Sequence, residues 1–349
     1  MLFQSEAQIR IYSNDFLSVS TGAEAASLSN SVVASSDNVY STSVNPAGII
    51  NIKSKYEIAA VHSEYFAGIA KFDYIGAAYK INDSSSLAAN IIRFGIDNIP
   101  NTLELIDENG NIDYDKISYF STADWAFTLS YAKKSKTKGL SYGINTKIIF
   151  RNQGEFAKAY GFGFDLGIIY NRKNWTFGAT LKDATSTFNA WFYNTEKLED
   201  VFINTGNEIP ENSLEITAPS IITGITRNFT ISENISVKPE IDFNISFDGK
   251  KYVLISSDII NIDPSAGAEL NYKNIIFFRA GIGDIAEIPD INGETTLNFR
   301  PNIGLGIKLF NFKLDYALTD IGDNSVALYS NIFSLSCNFN KIKKKNKPY

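Results

Sequence analysis

From about residue 54 onward the chain repeats one unit: a short segment that alternates apolar and polar residues, then a connection that is by turns tight and long. The tight connections are Asn82–Ser85, Lys134–Gly139, Asn171–Asn174, Phe229–Ile235, Lys273–Asn274 and Phe310–Asn311. The long ones are Ile96–Ser118, Asn152–Lys158, Asp183–Pro219, Gly249–Asp263, Asp284–Asn298 and Thr319–Asn331. A soluble sandwich has no reason to sort its loops by parity. A barrel in an outer membrane does, because its periplasmic turns are short and its extracellular loops long. The rhythm therefore predicts an all-β, antiparallel transmembrane barrel, with the tight turns in the periplasm and the long loops outside.

Fourteen segments read as strands: residues 55–62, 69–81, 86–95, 119–133, 140–151, 159–170, 175–182, 220–228, 236–248, 264–272, 275–283, 299–309, 312–318 and 332–339. The count is even, as a single-chain barrel with both termini in the periplasm requires. Several segments show period two without interruption. Phe162, Phe164, Leu166, Ile168 and Tyr170 share one face, and Gly163, Asp165, Gly167 and Ile169 the other. Ile241, Phe243, Ile245 and Phe247 oppose Asp242, Asn244, Ser246 and Asp248. The polar faces suit a wet lumen and not lipid, so the apolar faces point outward. Glycines on the polar face leave room for a plug or for close backbone approach. Arg93, Asp165, Asp242 and Asp315 are expected on the lumen side, pairing across the interior.

Composition narrows the function. No run of 18 apolar residues exists and the mean hydropathy is −0.10, which excludes a conventional transmembrane helix. Aromatic residues reach 13%, which suits strands and interfacial girdles. The single histidine, His62, leaves no catalytic triad and no multi-histidine metal site, and it reads as an interfacial or loop residue. The loop containing Asp107, Asp113 and Asp115 lacks EF-hand spacing and reads as a solvated acidic surface. With one cysteine, Cys337, no intramolecular disulfide forms. A net charge of −6 gives no nucleic-acid footprint. The expectation is a protein that is no enzyme and uses no cofactor and no metal.

The ends divide the chain further. Ser5, Glu6 and Ala7 read as the remnant of a signal peptide, residues 1–7. Residues 8–50 form an N-terminal segment rich in small residues, which fits short helices or a small plug. In it Asn45, Pro46, Ala47 and Gly48 make a structural turn, with Pro46 fixing φ and Gly48 free to take φ > 0. The barrel occupies residues 51–340, and residues 341–349 are a basic periplasmic tail. Between Asp183 and Pro219 lies an aromatic cluster, Phe188, Trp191, Phe192 and Tyr193, followed by Leu198, Val201 and Phe202 at near-helical spacing. Exposed apolar residues of this kind pack either on the barrel mouth or on a partner. Phe188, Trp191, Phe192, Tyr193, Leu198 and Phe202 are thus the candidate partner-binding residues.

The chain also resembles a known family. The blocks Phe16-Leu17-Ser18, Gly22-Ala23, Val32–Ala34 and Asn45-Pro46-Ala47-Gly48 are similar to the N-terminal part of the PorV/PorQ family, within the wider FadL-like group of outer-membrane barrels. So are Tyr65-Phe66-Ala67-Gly68, Arg93-Phe94-Gly95, Phe120–Asp124, Pro301–Gly306, Asp315–Asp320 and Ala327–Asn331. The run Ala23-Glu24-Ala25-Ala26-Ser27-Leu28-Ser29 carries less glycine than the family's. The resemblance implies a component of the type IX secretion system in the outer membrane of a Gram-negative bacterium of the Bacteroidota. Its partners would be outer-membrane lipid, the large type IX translocon subunit and the C-terminal signal domains of secreted proteins. FadL-like uptake of hydrophobic small molecules is the alternative that the same resemblance implies.

Overall fold

The computed structural model describes residues 13–66, 68–106, 110–204, 208–289, 295–319, 321 and 330–340. The proposed signal remnant, the basic tail, Asp107 and the block from Ala327 to Tyr329 lie outside the described residues.

Fourteen strands close into one antiparallel barrel. They are β1 (Tyr56–Tyr65), β2 (Ala70–Asn82), β3 (Ser85–Asn101), β4 (Ser118–Lys134), β5 (Leu140–Gln153) and β6 (Ala157–Arg172). Next comes β7, made of Trp175–Lys182 and its continuation Thr187–Tyr193. After it β8 runs through Ser213–Thr217, Ser220–Arg227 and Phe229–Ser232. The rest are β9 (Ile235–Ser246), β10 (Asn261–Tyr272), β11 (Ile276–Pro289), β12 (Thr295–Leu309), β13 (Phe312–Thr319) and β14 (Ser330–Phe339). Closure is made by β1 and β14, in register from Tyr56 opposite Phe339 to Glu64 opposite Asn331. All fourteen expected strands are found.

Alternation sets the two faces of the wall. Leu129, Ile148 and Ile303 are 59%, 58% and 49% exposed, and they point away from the lumen. A water-soluble barrel would hide such residues, whereas hydrocarbon is their natural solvent. On the tight-turn side, Tyr56 stacks on Tyr79 and on Phe339 at 5.2 and 5.4 Å. Toward the other rim, Phe150 meets Tyr160 at 5.3 Å, and Tyr316 meets Phe333 at 5.0 Å. These are the two aromatic girdles of a membrane barrel.

Two expectations about connections need correction. The connection between β5 and β6 is only the three residues between Gln153 and Ala157, and that between β1 and β2 only the four between Tyr65 and Ala70. Loop parity therefore has two exceptions. Much of the sequence assigned to long loops is strand that rises above the membrane: β3 runs to Asn101, and the segment from Asp183 to Pro219 contains strand on both sides of a helix. Paired strands satisfy their backbone groups wherever they lie, so leaving the bilayer gives them no reason to stop.

Residues 13–52 occupy the lumen as a compact plug. It holds two short helices, α1 (Ala23–Ser27) and α2 (Ser41–Val44), and two 3-10 turns, Asp15–Leu17 and Pro46–Asn51. Its apolar side, with Phe16, Val39, Ile49 and Ile50, packs on Val61, Phe72, Ile92, Ala126, Ile149 and Ile332 of the surrounding wall. Within it the Asn45-Pro46-Ala47-Gly48 turn differs from expectation. Gly48 has no positive φ. Glycine is needed there because a Cβ would lie 2.2 Å from Ser36 Oγ and 2.7 Å from Ser41 Oγ.

Candidate functional site

The wall opposite the apolar seam receives the plug through paired glycines. Gly143 faces Gly167 across β5 and β6, Gly178 faces Gly224 across β7 and β8, and Gly267 faces Gly281 across β10 and β11. A Cβ at Gly143 would sit 2.4 Å from Pro46 C, at Gly178 2.4 Å from Val33 O, and at Gly281 2.4 Å from Leu28 C. These distances are below any real carbon contact, so the glycines let plug backbone touch wall backbone.

Polar wall groups then hold that backbone. In β9 the Asp242 carboxylate accepts from Val33 N at 2.9 Å, and the Glu240 carboxylate accepts from Ala34 N at 2.7 Å. Asn145 of β5 donates to Thr42 O at 2.8 Å, and Asn45 of the plug donates to Ile168 O of β6 at 3.1 Å. Beside α1 sits a buried charge cluster. Arg279, fully enclosed, lies 2.8 Å from both Glu269 and Asp315 and 3.5 Å from Glu24 of the plug. Lys313 pairs with the same Glu24 carboxylate. Burial alone would raise the Glu24 carboxyl, but the Lys313 ammonium and the Arg279 guanidinium hold it well below the usual carboxylate range.

The plug separates two vestibules. The outer one, about 410 Å³, opens toward the ends of the long connections. One wall carries Leu17, Val19, Tyr65 and Ile332; the other carries Asp242, Asn244, Asp263 and Ser265. A side cavity of about 130 Å³ adjoins it, and Lys182 and Asn244 line both. Lys182 forms no ion pair among the described residues. The inner vestibule, about 370 Å³, lies by the tight turns among Asn228, Asn274, Lys308 and Ser336. A gap of about 20 Å³ threads the plug between them, sharing Thr21 and Val44 with the outer space and Glu24, Asn38 and Tyr40 with the inner. That gap has room for about one water molecule.

Next to the side cavity the wall bulges. In β7 the residues between Lys182 and Thr187 oppose only Ala218 and Pro219 of β8. Asp183 and Ser186 take positive φ of 51° and 59°. Lys147 holds the bulge from inside, 2.7 Å from Asp165 and 2.6 Å from Asp183. Proline suits the spot because the ladder there needs no N–H.

The candidate partner-binding residues do not form one patch. Phe188 and Phe192 point outward from the upper part of β7, 40% and 51% exposed. Trp191 points inward and is buried, with the Arg151 guanidinium 5.0 Å from its ring and Tyr193 stacked at 6.1 Å. Phe202 is half-buried on a third helix, α3 (Thr195–Asn204), and the Leu198 side chain lies outside the described residues. Asp165, Asp242 and Asp315 face the lumen as expected. Arg93 does not: it faces outward over Trp125, because it stands in phase with Leu87 and Ile91 of β3. His62 also faces outward, its Nδ1 2.7 Å from Asp73 Oδ1. Among the described residues no group of three His, Cys, Asp or Glu side chains is placed to hold a metal ion.

The room expected for a plug at the polar-face glycines is found, but their pairing across neighbouring strands was not foreseen, nor were Arg279 and Lys182. The signal for the first was present, since glycines recur on the inner face of strands that neighbour each other. Arg279 shares its inner face with Phe277 and Gly281, and a cation there implies buried carboxylates nearby.

No family profile matches the chain, and no curated protein sequence does. Solved structures do. The CymD monoaromatic hydrocarbon channel is 11% identical with a TM-score of 0.57, over 93% of this chain and 98% of that one. The Ralstonia pickettii toluene transporter TbuX is 12% identical with a TM-score of 0.56, over 92% and 98%. A Pseudomonas aeruginosa FadL homologue is 11% identical with a TM-score of 0.50, over 90% and 97%. At such identities the likeness is one of fold: the chain is a closed, fourteen-stranded antiparallel β-barrel of FadL-like architecture.

Proposed function

We propose that the protein is a plugged outer-membrane channel through which small amphiphilic molecules enter a Gram-negative cell. The observation that carries this reading is the outer vestibule, whose Leu17–Val19–Tyr65–Ile332 wall faces an Asp242–Asn244–Asp263–Ser265 wall. An apolar body fits the first and a hydrogen-bonding group the second. Lys182, unpaired within the cavity, suits an anionic or acceptor group. The fold neighbours named for monoaromatic hydrocarbons and toluene support small-molecule traffic. The polar wall moves the expected cargo from pure hydrocarbon to molecules with a polar head. Passage requires the plug to shift, since its gap admits about one water. Binding of phenol, benzoate and toluene to the purified barrel tests the reading. Phenol or benzoate should bind more tightly than toluene, and a Lys182→Met variant should lose benzoate first. Equal, negligible binding of all three would refute it.

A second reading, docking beside a type IX translocon with C-terminal signal domains as cargo, rests on the sequence resemblance alone. It predicts that deleting the gene leaves such cargo unreleased, and normal release would exclude it.

A further inference from the structure

The charged side chains lining the outer vestibule are Lys182, Asp242, Asp263, Asp284 and Arg300. Three of them have partners within the protein: Asp242 accepts from Val33 N at 2.9 Å, and Arg300 lies 3.4 Å from Asp284. Lys182 and Asp263 have none among the described residues, and the buried Asp263 Oδ1 accepts no hydrogen bond. The carboxylates whose charge reaches Lys182, those of Asp165 and Asp183, are held by Lys147 at 2.7 and 2.6 Å. The cation whose charge reaches Asp263, Lys251, pairs with Asp248.

Elsewhere the lumen wall neutralises its charges in place. Arg279 stands opposite Glu269 of the neighbouring strand, 2.8 Å from it, and Arg151 stands opposite Asp124 at 3.0 Å. Charges drawn out of bulk water need such partners, because desolvation without one is costly. Lys182 and Asp263 depart from that rule. Lys182 of β7 faces Ser220 of β8, and Asp263 of β10 faces Asn244 of β9. Three inter-strand steps of about 4.8 Å put their backbones about 14 Å apart across the wall. They do not pair with each other, yet both line the same cavity.

A lone cation and a lone carboxylate at two points of one cavity suit a ligand that carries both opposite charges. Leu17, Val19, Tyr65 and Ile332 supply an apolar surface for the rest of it. At about 410 Å³ the space falls within the usual size of small-molecule sites, about 300–1,000 Å³. Resting on the channel reading, we infer that the vestibule selects a small zwitterion with an apolar body, its carboxylate on Lys182 and its ammonium on Asp263. A free aromatic amino acid and a short peptide ending in one share this chemistry. Toluene carries neither charge, and benzoate only one.

The test is equilibrium binding to the purified full chain near neutral pH. The ligands are phenylalanine, alanyl-phenylalanine, 3-phenylpropionate, which keeps only the carboxylate, 2-phenylethylamine, which keeps only the ammonium, and benzoate. The tighter of the two zwitterions should bind about tenfold or more better than either singly charged analogue, the worth of one hydrogen bond to a charged group. Which zwitterion that is, amino acid or dipeptide, reports how far apart the two charges are held. In Asp263→Asn the preference over 3-phenylpropionate should vanish, and in Lys182→Met the preference over 2-phenylethylamine. Both are ratios within one protein, so a general loss of fold does not produce them. Zwitterions no tighter than either analogue, or a preference over 3-phenylpropionate that survives Asp263→Asn, would overturn the inference, while benzoate binding would leave the channel reading standing. Absence of binding by all five ligands would overturn both.

Discussion

Replacing Glu24 by Gln isolates the electrostatic latch of the plug. The carboxylate of Glu24 is what the plug offers to Arg279 and Lys313. Its loss does not strand either cation: Arg279 keeps Glu269 and Asp315 at 2.8 Å, and Lys313 keeps Asp315 at 3.6 Å. The relevant cost is therefore that of a hydrogen bond to a charged group, about 2 kcal/mol, and not the larger penalty of leaving a buried ion alone. About 2 kcal/mol corresponds to about a 30-fold shift between seated and displaced plug. Conductance of the purified barrel in planar bilayers reads that shift as open fraction. The prediction is a rise of about 30-fold with an unchanged melting temperature, because the Arg279–Glu269–Asp315 cluster still ties β10, β11 and β13 together. An unchanged open fraction, or a wall that melts along with the plug, would refute the latch.

The remaining predictions follow from the same contacts. Because the folded Glu24 carboxyl lies below its unfolded value, its contribution is present above the ordinary carboxylate range and lost only as pH falls through the depressed value. The rise in open fraction that loss of this carboxylate brings should thus appear below about pH 4 in the parent and be missing in Glu24→Gln. Gly143→Ala and Gly167→Ala drive a methyl into Pro46 and Asn45 and should raise the open fraction, at about 1–3 kcal/mol of overpacking each. A methyl at Gly163 meets first the Thr187 side chain in the wall and not the plug, so Gly163→Ala should lower the melting temperature without opening the channel. Trp191→Ala removes buried packing against Arg151 and should destabilise the upper rim by about 3 kcal/mol, read as faster proteolysis there, while Phe192→Ala, already half exposed, should do much less.

The wall was legible in the sequence because a membrane barrel writes itself as period two. Phe162 to Tyr170 and Ile241 to Phe247 show it plainly, and lipid on one side with a polar lumen on the other leaves no third arrangement. The plug was legible as a segment of small residues but not as a set of contacts. The fit of Leu28 to Gly267 and Gly281, or of Val33 to Gly178, depends on which strands lie across the lumen, and local pattern carries no such information. Arg93 was placed inward because a charge was assumed to avoid lipid. Its phase with Leu87 and Ile91 pointed outward, and period was the better guide. The aromatic cluster was read as loop because it follows Asp183, where positive φ and a bulge interrupt the strand. The ladder resumes at Thr187 and sends Phe188 and Trp191 to opposite faces.

The central claim is that the plug is a gate between two vestibules that pass small amphiphiles. Flux of phenol, benzoate and toluene into vesicles reconstituted with the barrel tests it most directly, with protein-free vesicles as the baseline and Glu24→Gln as the loosened gate. The account predicts benzoate flux above baseline, a further rise in Glu24→Gln, and a smaller protein-dependent gain for toluene. Flux indistinguishable from protein-free vesicles in both the parent and Glu24→Gln would contradict it.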